Sequence, residues 1–192
     1  MKESLGANTL VYPTPVWVIG TYNEDGSANA MTAAWGGICC SKPPCLAVSL
    51  REATLSHGNI KRNDAFTVHI GTEKLMAETD YFGISTGRVT DKLADTGLKT
   101  VKSDTVNAPL IEEFPLILEC RLKQMVEIGL HTQFIGEIMD VKADKEILGE
   151  KDLPDVELLR PLVFSPVVRK YHGLGKLAGQ AFNVGKKFKN KD

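Results

Sequence analysis

No stretch of the 192 residues approaches the roughly 18 uninterrupted apolar positions that a membrane-spanning helix needs. The N-terminus carries no basic region followed by an apolar run, so no secretory signal is read and a cytoplasmic location is expected. Charge of one sign is also lacking. Twenty-three Lys and Arg stand against 24 Asp and Glu, for a net charge of −1. Phosphate-binding surfaces that grip nucleic acid usually need a basic excess, so a nucleic-acid partner is not expected. The basic tail at Lys186, Lys187, Lys189 and Lys191 reads as a solvated terminus.

Several chemistries are absent with their motifs. The chain has no G-x-G-x-x-G after a strand, no Walker loop and no G-x-S-x-G. Gly83 to Gly87 holds two glycines but lacks the lysine of a phosphate loop. There are four cysteines, at 39, 40, 45 and 120, and none form a Cys-x-x-Cys pair. Adjacent Cys39 and Cys40 are poorly placed to chelate one metal or to bridge without strain, and no zinc spacing is present. Buried free thiols are the simplest reading. A redox role for Cys40 with Cys45 is the alternative.

What is present is a strand-rich chain of a size for one domain. Apolar residues are 43% and charged residues 24%, which is ordinary for a globular protein. Val16 to Tyr22 is β-branched and aromatic, and Asp25-Gly26 supplies a hairpin turn after it. Asn29 to Cys40 reads as the returning strand, ended by the prolines at 43 and 44. Cys45 to Arg51 and Ala65 to Ile70 are further strands, with a helix between them that Thr54 or Ser56 caps. Lys74 to Phe82 and Thr90 to Asp95 read as helical, with Gly97 closing the second. Leu116 to Val126, His131 to Val141 and Leu162 to Phe164 return to strands, with Glu127-Ile128-Gly129 expected as the turn between the first two. The expected fold is mainly β with a few helices, an antiparallel barrel in one domain over residues 1–192. Near the end, Leu174, Leu177, Ala178, Ala181 and Phe182 share one helical face. That segment, about 171–192, is expected to pack on its own barrel or on a partner subunit.

Several segments together resemble one family. They are Asn29-Ala30-Met31-Thr32-Ala33-Ala34-Trp35, then Pro43 to Arg51, then Thr54 to Ile60 ahead of Phe66-Thr67-Val68. Tyr171 to Gly175 and Gly179 to Lys186 complete the set. Their order and spacing resemble the flavin-reductase-like family, the FMN-binding split β-barrels with Greek-key antiparallel sheets, and within it the flavoredoxin kind. The likeness runs from about Thr14 to Lys186.

The resemblance implies a non-covalent FMN, with FAD less favoured, on a homodimer. A flavin needs an apolar wall, donors for its polar edge and something positive for its phosphate. Asn29, Met31, Thr32, Ala33 and Ala34 supply the first strand of such a site, and Trp35 either stacks near the ring or packs in the core. Ser49, Leu50 and Arg51 end the next strand. Arg51 precedes a helix start where Thr54, Ser56 and Asn59 add donors, a natural anion site. Lys92 is a second cation, with Arg88 as its substitute. Tyr81-Phe82-Gly83 either covers the ring or is core. His131 opens a strand near the ring, while His57, His69 and His172 carry less weight. Phe164 and Tyr171 close the pocket across a subunit boundary.

Three functions stay open. One is an electron carrier of the flavoredoxin kind, fed by a redox protein or by NADH or NADPH. A second is an NAD(P)H:flavin oxidoreductase with exchangeable flavin. A third is a non-enzymatic association barrel. Whether the chain is an enzyme is left undecided, and no catalytic side chain is assigned.

Overall fold

The computed structural model describes residues 1–189, so Lys191 and the last residues of the basic tail lie outside the described part. Twelve strands and four α-helices are found in it. β1 is Thr14–Pro15, β2 Trp17–Tyr22, β3 Ala28–Ala33, β4 Gly36–Ser41 and β5 Pro44–Arg51. α1 (Leu55–Asn63) leads to β6 (Ala65–Ile70). A 3-10 turn at Glu73–Leu75 opens α2 (Met76–Ile84), and α3 is Lys92–Thr96. β7 (Thr100–Lys102) and β8 (Pro109–Ile111) form a small ribbon. The long strands β9 (Leu116–Ile128) and β10 (His131–Ala143) follow, then α4 (Val156–Leu159), β11 (Val163–Ser165) and β12 (Lys170–His172).

Seven strands make the main sheet, in the order β3-β2-β6-β9-β10-β5-β4, with every pairing antiparallel. The hairpin predicted at Asp25-Gly26 is there. Gly26 has φ +83° and Asn23 N–H donates to Ser27 O at 2.8 Å. The span Asn29 to Cys40, expected as one strand, is two. It breaks at Ala34-Trp35, and its halves sit at opposite edges of the sheet. One segment therefore serves both edges and curls the sheet into a barrel, a closure no local propensity records. Ser49 N–H donates to Trp35 O at 2.8 Å, extending the β4–β5 pairing to the break. β1, β11 and β12 form a separate three-stranded sheet.

Strand alternation divides the apolar residues into two layers. Inside the barrel pack Ile19, Leu46, Val48, Leu50, Ile60, Phe66, Val68, Cys120 and Phe134. Outside it, Val18, Ala30, Phe82, Leu93, Ile111 and Phe114 form a second cluster under α2 and α3. β10 shifts register between Ile135 and Gly136, where the Phe66 ring leans on the backbone. A Cβ at Gly136 would stand 2.6 Å from Phe66 Cζ, so only glycine fits there.

Three smaller expectations are corrected. Residues 174–182 are not helical. Only a 3-10 turn at Val184–Phe188 follows them, and every described residue from 172 onward is exposed. Glycines at 173, 175 and 179 withhold helix propensity, and no packed face repays it. Glu127-Ile128 belongs to β9, so the turn is Gly129-Leu130. Cys39 and Cys40 are exposed, whereas Cys45 and Cys120 are buried.

His69 ties the two layers together. Its ring is fully buried, Nδ1–H donates to Val18 O at 3.0 Å, and Nε2 accepts from Ile111 N–H at 2.9 Å. Accepting that bond requires the neutral ring, and burial holds its pKa down at about 4. The unfolded imidazole protonates near 6.5 and the folded one does not. Stability from this group is therefore whole above about 6.5 and falls as pH drops toward 4, by roughly 3 kcal/mol at the lower end. An NMR titration is expected to leave the His69 ring signals unmoved at pH 5. Protonation near 6.5 without loss of stability would refute the assignment.

Candidate functional site

Five of the predicted site residues, Asn29, Arg51, Thr54, Ser56 and Asn59, lie around the start of α1, where the barrel closure brings β3 and the end of β5 together. β5 ends at Arg51, two short turns lead to α1, and β3 passes beneath. Asn29 is buried on the inward face of β3, and its Nδ2–H donates to Ser56 Oγ at 2.9 Å and to Thr21 Oγ1 at 3.3 Å. Asn59 is likewise buried, donating to Thr21 Oγ1 and to Asn23 Oδ1. Asn29, Ser56 and Asn59 thus form a polar network that fixes α1 against the β2–β3 hairpin. Their side chains spend their hydrogen bonds on the scaffold.

Thr54 occupies the N-cap position of α1, with extended backbone at ψ 146°. Its hydroxyl does not cap the helix. It donates instead to Arg51 O at 2.8 Å, and no acidic side chain lies in the first turn. The leading N–H groups of a nine-residue helix are therefore left without a side-chain acceptor. Arg51 beside them is exposed. A guanidinium and open helical N–H groups are the donor set an anion requires.

On the other flank lies the 84–92 loop. Gly87 packs so closely that a Cβ there would collide with Asn29 Oδ1 and stand 3.2 Å from Leu55 Cδ2. Together Asn23, Asp25, Ser27 to Ala30 and Gly87 to Leu93 line a cleft of about 240 Å³. Lys92 projects into this region but is buried, its Nζ donating at 3.2 Å to Phe82 O and to Ser85 O, and 5.9 Å above the Phe82 ring. Burial lowers its pKa to about 8. Asp91 caps α3 by accepting from Ala94 N–H at 3.1 Å. The helical turn expected over Thr90–Asp95 lies at Lys92–Thr96, with Gly97 at φ +69° closing it as expected. Arg88 also lines the cleft.

The remaining residues spread along the barrel rim. Thr32 faces outward, its hydroxyl donating to Thr79 O of α2, while Met31 and Ala33 face the interior. Trp35 is 36% exposed, just past the end of β3, and so is not a core residue. Leu50 is core. Ser49 and Arg51 share the opposite face, where β10 registers Gln133 with Ser49 and His131 with Arg51. His131 and Arg51 are thus cross-strand neighbours. His57 is buried elsewhere, with Nε2 2.9 Å from Thr132 Oγ1 and its ring edge-on to Phe134, and burial lowers its pKa.

Phe164 and Tyr171 pair across β11 and β12 with ring centroids 5.4 Å apart. Tyr171 OH donates to Asp80 Oδ1 of α2 at 2.9 Å. Burial, then that carboxylate, push its pKa up to about 12. This pair belongs to the separate sheet and is not brought into the cleft. Sequence reasoning missed Gly87, Leu55, Asn23 and Thr21. The signal for Gly87 was a glycine in a polar loop just ahead of an arginine, which marks close backbone approach only once its neighbour is known.

The chain is similar to known proteins in sequence and in fold. A family model described as a flavin reductase like domain matches residues 9–175. Flavoredoxin of Desulfovibrio vulgaris (Miyazaki F) is similar in structure, with a TM-score of 0.92 and 47% identity over 96% of this chain and 100% of that one. Flavoredoxin from Methanosarcina acetivorans is similar with a TM-score of 0.91 and 28% identity, over 98% of this chain and 99% of that one. An uncharacterized protein of Archaeoglobus fulgidus is 33% identical over 131 residues, which is 68% of this chain and 73% of that protein.

Gly87→Ala is expected to lower stability by about 1–3 kcal/mol, because the new methyl forces the loop off Asn29 and Leu55. Urea unfolding checks this. A variant as stable as the parent would show that the loop does not rest on the network.

Proposed function

Because the chain belongs to the flavin reductase-like family, we propose that it holds FMN non-covalently and passes electrons through it, as a carrier of the flavoredoxin kind. The observation that carries this reading is the start of α1, with its leading N–H groups uncapped beside the exposed Arg51. That donor set fits a phosphate. The adjoining cleft of about 240 Å³ is smaller than the ~300–1,000 Å³ of sites that enclose a whole ligand. It therefore suits only part of the cofactor, and the rim strands are the ground for the ring. FAD, which is larger, is less favoured.

Bound FMN supplies the redox chemistry, accepting a hydride or single electrons. The chain's own residues bind and orient. Arg51 neutralises the phosphate, and the first-turn N–H groups of α1 donate to it. The Lys92 ammonium has three donors and spends two on Phe82 O and Ser85 O, leaving one for an anion. Ala34, half-buried just past the end of β3, keeps the chain low there, so that a flat ring can approach it. Trp35 and His131 stand at the margin of that face. The Thr32 hydroxyl is already committed to Thr79 O and offers only a lone pair. No side chain is assigned as proton donor to the reacting atoms.

The protein works as a homodimer in this reading. The exposed Leu174, Leu177 and Phe182 dock on a second copy, whose arrival also brings Phe164 and Tyr171 over the neighbouring site. Electrons come from NADH, NADPH or a redox protein, in a cytoplasmic setting. Among the described residues no helix is long and apolar enough to cross a membrane. The open rim, with Trp35 partly exposed, favours one second reading: an NAD(P)H:flavin oxidoreductase whose flavin exchanges.

The test is an absorbance spectrum from 300 to 550 nm of protein loaded with FMN and then desalted. Flavin bands at about one per chain are expected. A colourless protein that takes up no FMN overturns the proposal and leaves an association barrel. Flavin that binds but washes out during NAD(P)H oxidation moves the assignment to the reductase. Arg51→Ala is expected to weaken FMN at least tenfold, about 1.4 kcal/mol, and unchanged affinity would remove the phosphate from this place. Lys92 gives a pH signature. Its charge is lost as pH rises through about 8, so affinity should fall from pH 7 to 9, and Lys92→Met should flatten that slope.

A further inference from the structure

Three of the four cysteines meet at the tip of the β4–β5 hairpin, away from the cleft at α1. Cys40 and Cys45 are direct register partners, and Ser41 and Pro44 pair beyond them next to the turn. Directly opposed residues in an antiparallel pair have Cα atoms about 4.5 or 5.5 Å apart. Both spacings fall within the roughly 4.4–6.8 Å that a disulfide spans. The register shift between Ile38 and Cys40 leaves Cys39 as the extra residue of a bulge beside them. Local strand pairing thus brings thiols together that sequence spacing alone does not.

The two partners differ in access. Cys40 is exposed, whereas Cys45 is only 2% exposed. On its other side Cys45 registers with Glu137, whose Oε2 accepts from Lys123 Nζ at 3.1 Å. Burial, with Cys40 and Cys39 adding to it, raises the Cys45 pKa. An accessible thiol beside a shielded one is the arrangement of an attacking and a resolving cysteine.

We propose that Cys40 and Cys45 form a reversible dithiol–disulfide couple that exchanges with small-molecule disulfides. The Cys40 thiolate attacks one sulfur of the incoming disulfide. Its S–S bond breaks, a Cys40 mixed disulfide forms, and one thiol leaves. Deprotonated Cys45 then attacks Cys40 Sγ, expelling the second thiol and closing the Cys40–Cys45 bond. The protein dithiol loses two electrons and two protons, and the small disulfide gains them as two thiols. Excess small thiol reverses both steps. The closed bond pins the outer end of β4, an edge strand of the main sheet, to β5.

The experiment uses the folded full-length protein and oxidised glutathione as the probe. Acid quenching, blocking of free thiols and mass spectrometry then report the products. Wild type is expected to lose two of its four thiols and to carry one internal bond, mapped to Cys40 and Cys45. Dithiothreitol should restore both. Cys45→Ser should stop at a glutathione adduct on Cys40, Cys40→Ser should form no internal bond, and Cys39→Ser should behave as wild type. A persistent glutathione adduct on wild type overturns the proposal, and so does a bond that requires Cys39 or one that links two chains. Circular dichroism of each variant keeps a folding defect distinct from these outcomes.

Discussion

The seam at Ala34-Trp35 is the constraint on which the rest of this structure depends. There the strand begun at Ala28 leaves one edge of the sheet and re-emerges as the opposite edge, and the Ser49 N–H bond to Trp35 O carries the β4–β5 ladder up to the break. A seven-stranded antiparallel sheet left open would expose two unpaired edges to water and to other chains. Folding one segment across both edges removes most of that liability. It also brings the end of β5, the start of α1 and the middle of β3 to one place on the rim.

From that juncture the polar network follows. Buried amides and hydroxyls must find partners, and Asn29, Ser56, Asn59, Thr21 and Asn23 find one another. Asparagines at 29 and 59 therefore act as scaffold, fastening α1 with its first turn facing outward. The same economy operates in the outer layer. His69 bridges β2 and β8, and Lys92 spends two of its donors on the carbonyls that end α2. Each of these ionisable groups is paired with backbone, and each has its charged form suppressed by burial. The candidate anion site is consequently held by these bonds before any ligand arrives, which lowers the ordering cost of binding.

The hairpin bearing Cys40 and Cys45 lies at the far end of the same two strands. Its geometry is set by ladder register and by a bulge, both independent of the cleft. A thiol couple there and a flavin at the rim are thus separable in experiment: substitutions at the hairpin tip leave Arg51, α1 and the 84–92 loop untouched.

Much of this was legible in the residues. The Asp25-Gly26 hairpin, the apolar alternation of the strands and the cap at Gly97 follow from local backbone chemistry, and local chemistry suffices for them. The family likeness in Asn29–Trp35, Thr54–Ile60 and the closing segment was legible too, and with it the fold. Local chemistry failed where the answer depended on distant neighbours. In MTAAWGGICC the alanines and the glycine pair weaken β propensity around the break, but only the strand order shows that its two halves take opposite edges of the sheet. The periodicity of residues 174–182 suggested a helix, yet glycines and the lack of a packed face leave it irregular. Asn29 and Ser56 drew notice as ligand donors, but only tertiary contact revealed that they bond to each other. The sequence by itself determined strand content, turns and family. The closure of the barrel, the bonding of Asn29 to Ser56 and the seating of Gly87 on Asn29 and Leu55 were decided by tertiary structure, since each joins groups far apart in the chain whose proximity is a property of the whole fold.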